Sequence, residues 1–232
     1  MKKAFIIGLL SGALSTPSFA AITFLSAPLG PGSLVDTVSW LQLGSNGSAV
    51  PEPFSATGVN GLAVTGHFAS LGGGLTCEVD APGPSAPCSW IPAPGFTTGE
   101  TLIWAEDAFF SGSGPLTVTF LAQFGGGAYI QSTGDLQYTA RLKAFNGASL
   151  LGVNTITSNA QGDPVFLGVV DSTQEITGLE FSLTNCTSTS GSCDATDFAV
   201  GTLSIYNATP EPSSMLLALG GLVALGLARR KN

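Results

Sequence analysis

This 232-residue chain has one histidine, seven lysines and arginines together, and a charged fraction of 9%. An average soluble domain carries roughly a quarter charged residues, so the shortage points away from the cytosol. Five of the seven cations, Lys2, Lys3, Arg229, Arg230 and Lys231, lie at the two ends. Between Ala21 and Pro210 only Arg141 and Lys143 stand against fourteen acids, a net charge of −12. Such a field repels phosphate backbones, and no basic stripe exists to displace counterions from a duplex, which excludes nucleic acid as a partner. Also missing are a G-x-S-x-G segment and, between the two ends, any dozen-residue stretch with a helical period. Apolar side chain is plentiful at 44%, with 31 glycines and 14 prolines, so one real core can form and the composition is neither disordered nor collagen-like.

The basic ends read as addresses. Met1-Lys2-Lys3 is a positive start, Ala4 to Leu14 is apolar, Ser15-Thr16-Pro17 breaks the run, and Ser18-Phe19-Ala20 supplies small residues at −3 and −1. This order is that of a signal peptide over 1–20, cut by signal peptidase between Ala20 and Ala21. The mature chain then works where thiols oxidise.

Near the other end, Thr209-Pro210-Glu211-Pro212-Ser213-Ser214 leads into an uncharged apolar run, Met215 to Ala228, which stops at Arg229-Arg230-Lys231. The positive-inside rule keeps that cluster cytoplasmic and places the preceding domain outside. Fourteen helical residues reach about 21 Å, short of the roughly 30 Å hydrocarbon core, which suits a transiently held signal better than a permanent anchor. Pro-Glu-Pro, a short Gly-containing hydrophobic helix and a terminal basic cluster, together spanning Thr209 to Asn232, resemble the PEP-CTERM sorting signal. That resemblance implies handling by exosortase, a membrane-embedded transpeptidase-like cysteine protease. Pro210, Glu211 and Pro212 would be recognition elements near the processing site, Arg229 and Arg230 the basic stop, and the inner membrane a transient stage. The implied destination is the cell surface or an extracellular polysaccharide matrix. A second tripeptide, Pro51-Glu52-Pro53, is followed by Phe54-Ser55-Ala56-Thr57-Gly58 and reads as an ordinary loop.

The resulting division is 1–20 signal peptide, 21–207 folded domain, 208–214 linker, 215–228 sorting helix and 229–232 basic tail. Within the domain, Leu116, Val118, Phe120, Ala122 and Phe124 alternate with Thr117, Thr119, Leu121 and Gln123, the period of a half-buried strand. Leu136 to Ala144 alternates likewise, with Arg141 and Lys143 on its outward face, and Leu62 to Phe68 does the same with His67 outward. Further strands are expected over Leu34 to Leu43, Thr101 to Trp104, Leu150 to Thr157, Val165 to Val170, Ile176 to Leu183 and Phe198 to Tyr206. Nine or so short strands suit an all-β fold of two packed antiparallel sheets, a jelly-roll-like β-sandwich flanked by the two terminal helices. The pattern from Gly127 through Tyr138–Phe145, Phe166–Val169 and Asp197–Val200 resembles the jelly-roll domains common in secreted bacterial proteins of this kind. Gly72-Gly73-Gly74 and Gly125-Gly126-Gly127 lack a following helix and lysine, so they are expected to be turns.

Four cysteines in an oxidising compartment allow three pairings. Cys77 with Cys88 and Cys186 with Cys193 close the shortest loops and are expected as staples, since neither spacing nor the lone histidine suits a zinc site. Trp40, Trp90, Trp104 and Tyr129 could offer flat faces to sugar rings, the alternative being core packing; Trp90, Trp104 and Tyr129 are the candidate glycan contacts. A platform of this kind requires at least two rings exposed and coplanar. Asp194 and Asp197 are the candidates for a calcium site, with Asp163 and Asp171 flanking a nearby strand; solvated turn residues are the alternative. His67 with a serine, or a pair drawn from Glu100, Glu106 and Asp107, would be needed for hydrolysis. The expected function is a non-enzymatic exported surface or matrix protein with a structural or adhesive role and no cofactor beyond calcium. The alternatives are a carbohydrate-binding module meeting extracellular polysaccharide, and an extracellular hydrolase.

Overall fold

A computed structural model describes residues 22–70, 72–80, 88–106, 112–134, 136–189 and 193–207. The expected signal peptide, Asp107, the sorting residues Pro210, Glu211, Pro212, Arg229 and Arg230, and the helix expected over 215–228 lie outside the described residues. Among the described residues no helix is long and apolar enough to cross a membrane, and the helical structure consists of two short 3-10 turns.

Sixteen strands are described: β1 (Ile22–Leu25), β2 (Leu34–Val38), β3 (Ala49–Val50), β4 (Phe54–Thr57), β5 (Ala63–Phe68), β6 (Gly74–Val79), β7 (Ser89–Trp90), β8 (Thr101–Trp104), β9 (Leu116–Gln123), β10 (Gly125–Ser132), β11 (Tyr138–Asn146), β12 (Ser149–Thr157), β13 (Val165–Asp171), β14 (Ile176–Cys186), β15 (Phe198–Val200) and β16 (Leu203–Tyr206). They form the two sheets expected of a sandwich. A six-stranded sheet runs β12-β11-β14-β9-β5-β4, and a ten-stranded sheet runs β1-β13-β10-β15-β8-β6-β3 with β16 joining β10 to β2 and β7 beside β6. All pairs are antiparallel except the short β6–β7 pair.

The alternation read from the sequence decides which side chains meet between the sheets. Val118, Phe120, Leu142 and Phe181 of the six-stranded sheet share one buried cluster with Ile130, Leu167, Val169 and Ile205 of the ten-stranded sheet. Removing these apolar surfaces from water is the dominant stabilising term. Tyr138, buried on β11, sends its hydroxyl across the core to the carbonyls of Ile130 at 2.7 Å and Asp163 at 2.9 Å, and burial pushes its phenol far above the usual tyrosine range. A buried hydroxyl needs such acceptors, so this bond also fixes the spacing of the sheets at β10.

Three expected elements differ. The strand expected over Leu34 to Leu43 stops at Val38, because Ser39 accepts a bond from the Leu41 amide and starts a 3-10 turn over Trp40–Leu43. Trp40 is fully buried there, donating from Nε1 to Gly201 O at 2.7 Å, which removes it from the surface aromatics. The strand expected over Phe198 to Tyr206 divides at Gly201 and Thr202, whose amides bond Tyr129 O and Glu100 Oε1 at 2.9 and 2.8 Å. Most instructive is Gly125-Gly126-Gly127, which is strand and not turn: it is the first part of β10, paired with β13 on one side and β16 on the other. A Cβ on Gly127 would come within 2.6 Å of Gly168 Cα and 2.7 Å of Leu167 O, so the glycines are there for close strand approach.

Candidate functional site

The outward face of the ten-stranded sheet carries its own small apolar clusters. Register places Tyr129 and Gln131 of β10, Ala199 of β15, Leu102 and Trp104 of β8, and Cys77 of β6 on that side, opposite the inward Ile130, Val200 and Ile103. Cys77 bonds Cys88, with Cα atoms 5.2 Å apart, and so draws the 88–93 segment over this face. Asn46 secures the crossing, its amide donating to Cys88 O at 2.6 Å while its Oδ1 accepts from the Glu78 amide at 3.1 Å. Cys186 and Cys193 are joined as well, with Cα atoms 5.8 Å apart.

This crossing brings Trp90 against Trp104, ring centroids 5.7 Å apart and planes at 76°. Both rings are half-buried, and both indole nitrogens are held: Trp90 Nε1 donates to Gln131 Oε1 at 2.6 Å, and Trp104 Nε1 to Asp197 Oδ1 at 2.6 Å. Gln131 in turn donates to Gly162 O at 2.8 Å, locking its orientation. Trp90, Ile91, Pro92, Trp104, Gln131 and Asp163 line a cleft of about 490 Å³, within the span of small-molecule sites. Ile91 at its lip is 80% exposed.

Of the three candidate aromatics, then, two meet and one does not. Tyr129 stacks edge-on against Phe166 with centroids 5.3 Å apart, and Gly95 lies so close that an added Cβ would be 2.5 Å from its ring. The loop over 91–99 takes Tyr129 out of the cleft lining. Nor are Trp90 and Trp104 coplanar, so they make a notch with two walls where the sequence suggested a flat platform.

The acidic candidates occupy turns. Asp194 Oδ1 accepts from the Thr196 hydroxyl and amide at 2.6 and 2.8 Å, and these bonds hold its carboxyl below the usual range. Asp197 is pushed the other way by burial, against the pull of its bonds from Thr133 and Trp104. Asp171 Oδ2 accepts from Thr173 and the Glu175 amide, and Asp163 Oδ2 from Asn159. Among the described residues no three His, Cys, Asp or Glu side chains gather as a metal-binding group. Since Asp197 is harder to ionise folded than unfolded, its contribution to stability is present at acid pH and falls as pH rises from the ordinary carboxylate value through its raised one. Asp197→Asn keeps the acceptor for Trp104. It should therefore melt higher than wild type at pH 7, with the gap closing below about pH 4, as thermal unfolding monitored across pH would show.

The remaining candidates are dispersed. His67 stands exposed on the outer face of β5, above a shallow trough of about 490 Å³ shared with Thr117, Thr119, Phe145 and Glu180. Glu100 Oε1 and Oε2 accept from the amides of Thr202 and Thr97. Glu106 is buried beside the short bridge to Gly112. Sequence reasoning did not single out Gln131. A glutamine one strand-step from a candidate aromatic was the available signal, and only the β10 register gives it meaning.

Residues 208–231 match the family described as PEP-CTERM protein-sorting motif. No curated protein and no solved structure matches the chain. The match falls on the segment where Pro210-Glu211-Pro212, the apolar run and the basic cluster follow one another. The chain therefore carries a PEP-CTERM sorting motif, which makes it an exported exosortase substrate that passes through a membrane-anchored intermediate.

Proposed function

We propose that the exported domain is a non-enzymatic structural or adhesive module at the cell surface or in the extracellular matrix, and that its adhesive contact is made by the Trp90–Trp104 cleft with polysaccharide. The observation that carries this reading is the way the cleft is built. A disulfide, an asparagine clamp and two indole hydrogen bonds hold two aromatic walls and a glutamine on the outside of the sandwich, away from the core between the sheets. Apolar ring faces beside fixed polar groups suit the alternating C–H and O–H surfaces of a sugar. With a body charge of −12, neutral or cationic chains are the expected partners, since anionic ones would be repelled.

Retention of the exported chain on a panel of neutral, cationic and anionic polysaccharides tests this. Wild type should be retained on at least one neutral or cationic polymer, and Trp90→Ala should weaken that retention by at least about tenfold, the scale of one lost aromatic contact. A near-UV circular dichroism band from the buried Trp40, remote from the cleft, together with a cooperative thermal transition, would confirm that the variant is folded. No retention on any polymer would end the adhesive reading and leave the structural one.

A further inference from the structure

The cleft between Trp90 and Trp104 has one sign of charge. Among the described residues that line it there is no Lys, Arg or His, and the one acid is the half-buried Asp163. Three hydrogen bonds pin that residue. Asn159 Nδ2 donates to Asp163 Oδ2 at 2.7 Å, Asn159 Oδ1 accepts from the Asp163 amide at 3.0 Å, and the Asp163 carbonyl accepts from the buried Tyr138 hydroxyl at 2.9 Å. Among the described residues, Asp163 Oδ1 receives no donor.

The donors of the cleft are already engaged within the protein. Both indole N–H groups are taken, by Gln131 Oε1 and Asp197 Oδ1, while Gln131 Nε2 donates to Gly162 O and the Thr133 hydroxyl to Asp197 O. Ser89 and Gln161, exposed at the rim, are neutral. The fixed groups left for a ligand are therefore electron-rich: two indole faces and a carboxylate oxygen. An ammonium group suits both. It is attracted to a tryptophan face within about 6 Å of the ring centroid, and its bond to a carboxylate is roughly twice as strong as a neutral one. A hard metal ion is poorly served, because it needs about six to eight oxygens and the cleft presents one carboxylate. A uronate or sulfate ester would meet repulsion with no cation to offset it.

We propose that the cleft selects amino sugars, with the ammonium of a glucosamine-type unit seated between Asp163 and the walls of Trp90 and Trp104. This rests on the reading of the cleft as a polysaccharide site and names the sugar it takes. Asp163 sets the specificity, and Asn159 and Tyr138 position it.

Soluble oligosaccharides of equal length and linkage, built from glucose, glucosamine or N-acetylglucosamine, differ in one ring substituent: hydroxyl, ammonium or acetamide. Each is titrated calorimetrically into the exported chain at about pH 5.5, where amino groups carry a proton, and about 0.15 M salt, which screens the field of the whole body. The glucosamine oligomer should bind at least about tenfold more tightly than the other two. Asp163→Asn, which keeps an oxygen for Asn159, should remove most of that preference. Glu175→Gln removes the same charge from an exposed position beyond the far end of β13 and should leave the preference unchanged. Equal binding of the three oligomers overturns the proposal, as does a preference that survives Asp163→Asn or falls as far in Glu175→Gln. If a neutral oligomer binds as tightly as the glucosamine one and Trp90→Ala weakens both, the amino-sugar assignment falls and the polysaccharide reading stands. A glucosamine oligomer that does not bind also overturns the assignment, and retention on the polymer panel then decides the polysaccharide reading by itself.

Discussion

An exported chain in which Pro210, Glu211 and Pro212 are all replaced by alanine will keep its hydrophobic tail. Intact-mass analysis of the wild-type exported protein should show the segment after the motif gone, and the triple variant should retain it. The effect is expected to be close to all-or-none, because the apolar run over 215–228 is too short to be a sound permanent anchor and depends on being recognised. The second tripeptide is an internal control. Glu52 of Pro51-Glu52-Pro53 is absorbed by the fold, its Oε2 accepting from the Phe68 amide at 2.7 Å at the head of β4. Glu52→Ala should lower stability modestly and leave processing untouched. A triple variant at 210–212 that is cut like wild type would show that recognition rests on the helix and the basic cluster alone.

Asp36→Ala should be the most destabilising single substitution among the polar residues of the body, by about 3 kcal/mol or more at neutral pH. Asp36 lies on β2 and is 3% exposed. Its Oδ1 accepts from the amides of Thr37 at 2.7 Å and Asn60 at 2.9 Å, and its Oδ2 from the amide of Leu62 at 3.0 Å. The carboxylate thereby ties the ten-stranded sheet to the turn between β4 and β5 of the six-stranded sheet. Gly58 stands so close that a Cβ there would be 2.5 Å from Oδ1, so the turn is wrapped directly on the acid. Alanine would strand three amide donors at a half-buried turn with no replacement acceptor, each costing roughly 1–3 kcal/mol in full burial. Asp36→Asn keeps one acceptor oxygen but turns an amide donor toward another N–H, and should lie between wild type and alanine. Chemical denaturation of the three chains would order them. An alanine variant within about 1 kcal/mol of wild type would mean that water satisfies the turn and that the carboxylate is dispensable.

How far the sequence carried the fold follows from periodicity. β5, β9 and β11 show clean two-residue alternation because one side of each faces the shared core and the other faces water, and that contrast is local. β10 defeats the same method. Its burial is almost continuous and it opens with three glycines, which resemble a turn until β13 and β16 are seen closing on both sides. β3 and β7, at two residues each, have no period to detect. The disulfide pairs were legible for a similar reason: a short loop between two cysteines is a local constraint.

The candidate site was legible only as a set of residue types. Trp90, Trp104 and Tyr129 were the right aromatics to inspect, yet which of them meet depends on the offset between β8 and β10 through β15, and on where Cys77 lets the 88–93 segment cross. A change of one residue in that register would turn Trp104 into the core, since strand side chains alternate faces.

What the sequence determined by itself was therefore the sorting motif, the acidic charge and the sandwich class, because a sorting motif, net charge and alternation are written in contiguous residues. The edge-on tryptophan notch, the burial of Trp40 and the glycine strand were decided by the tertiary structure. Each depends on pairings between residues far apart in the chain, and such pairings are selected by the fit of two whole sheets over one core.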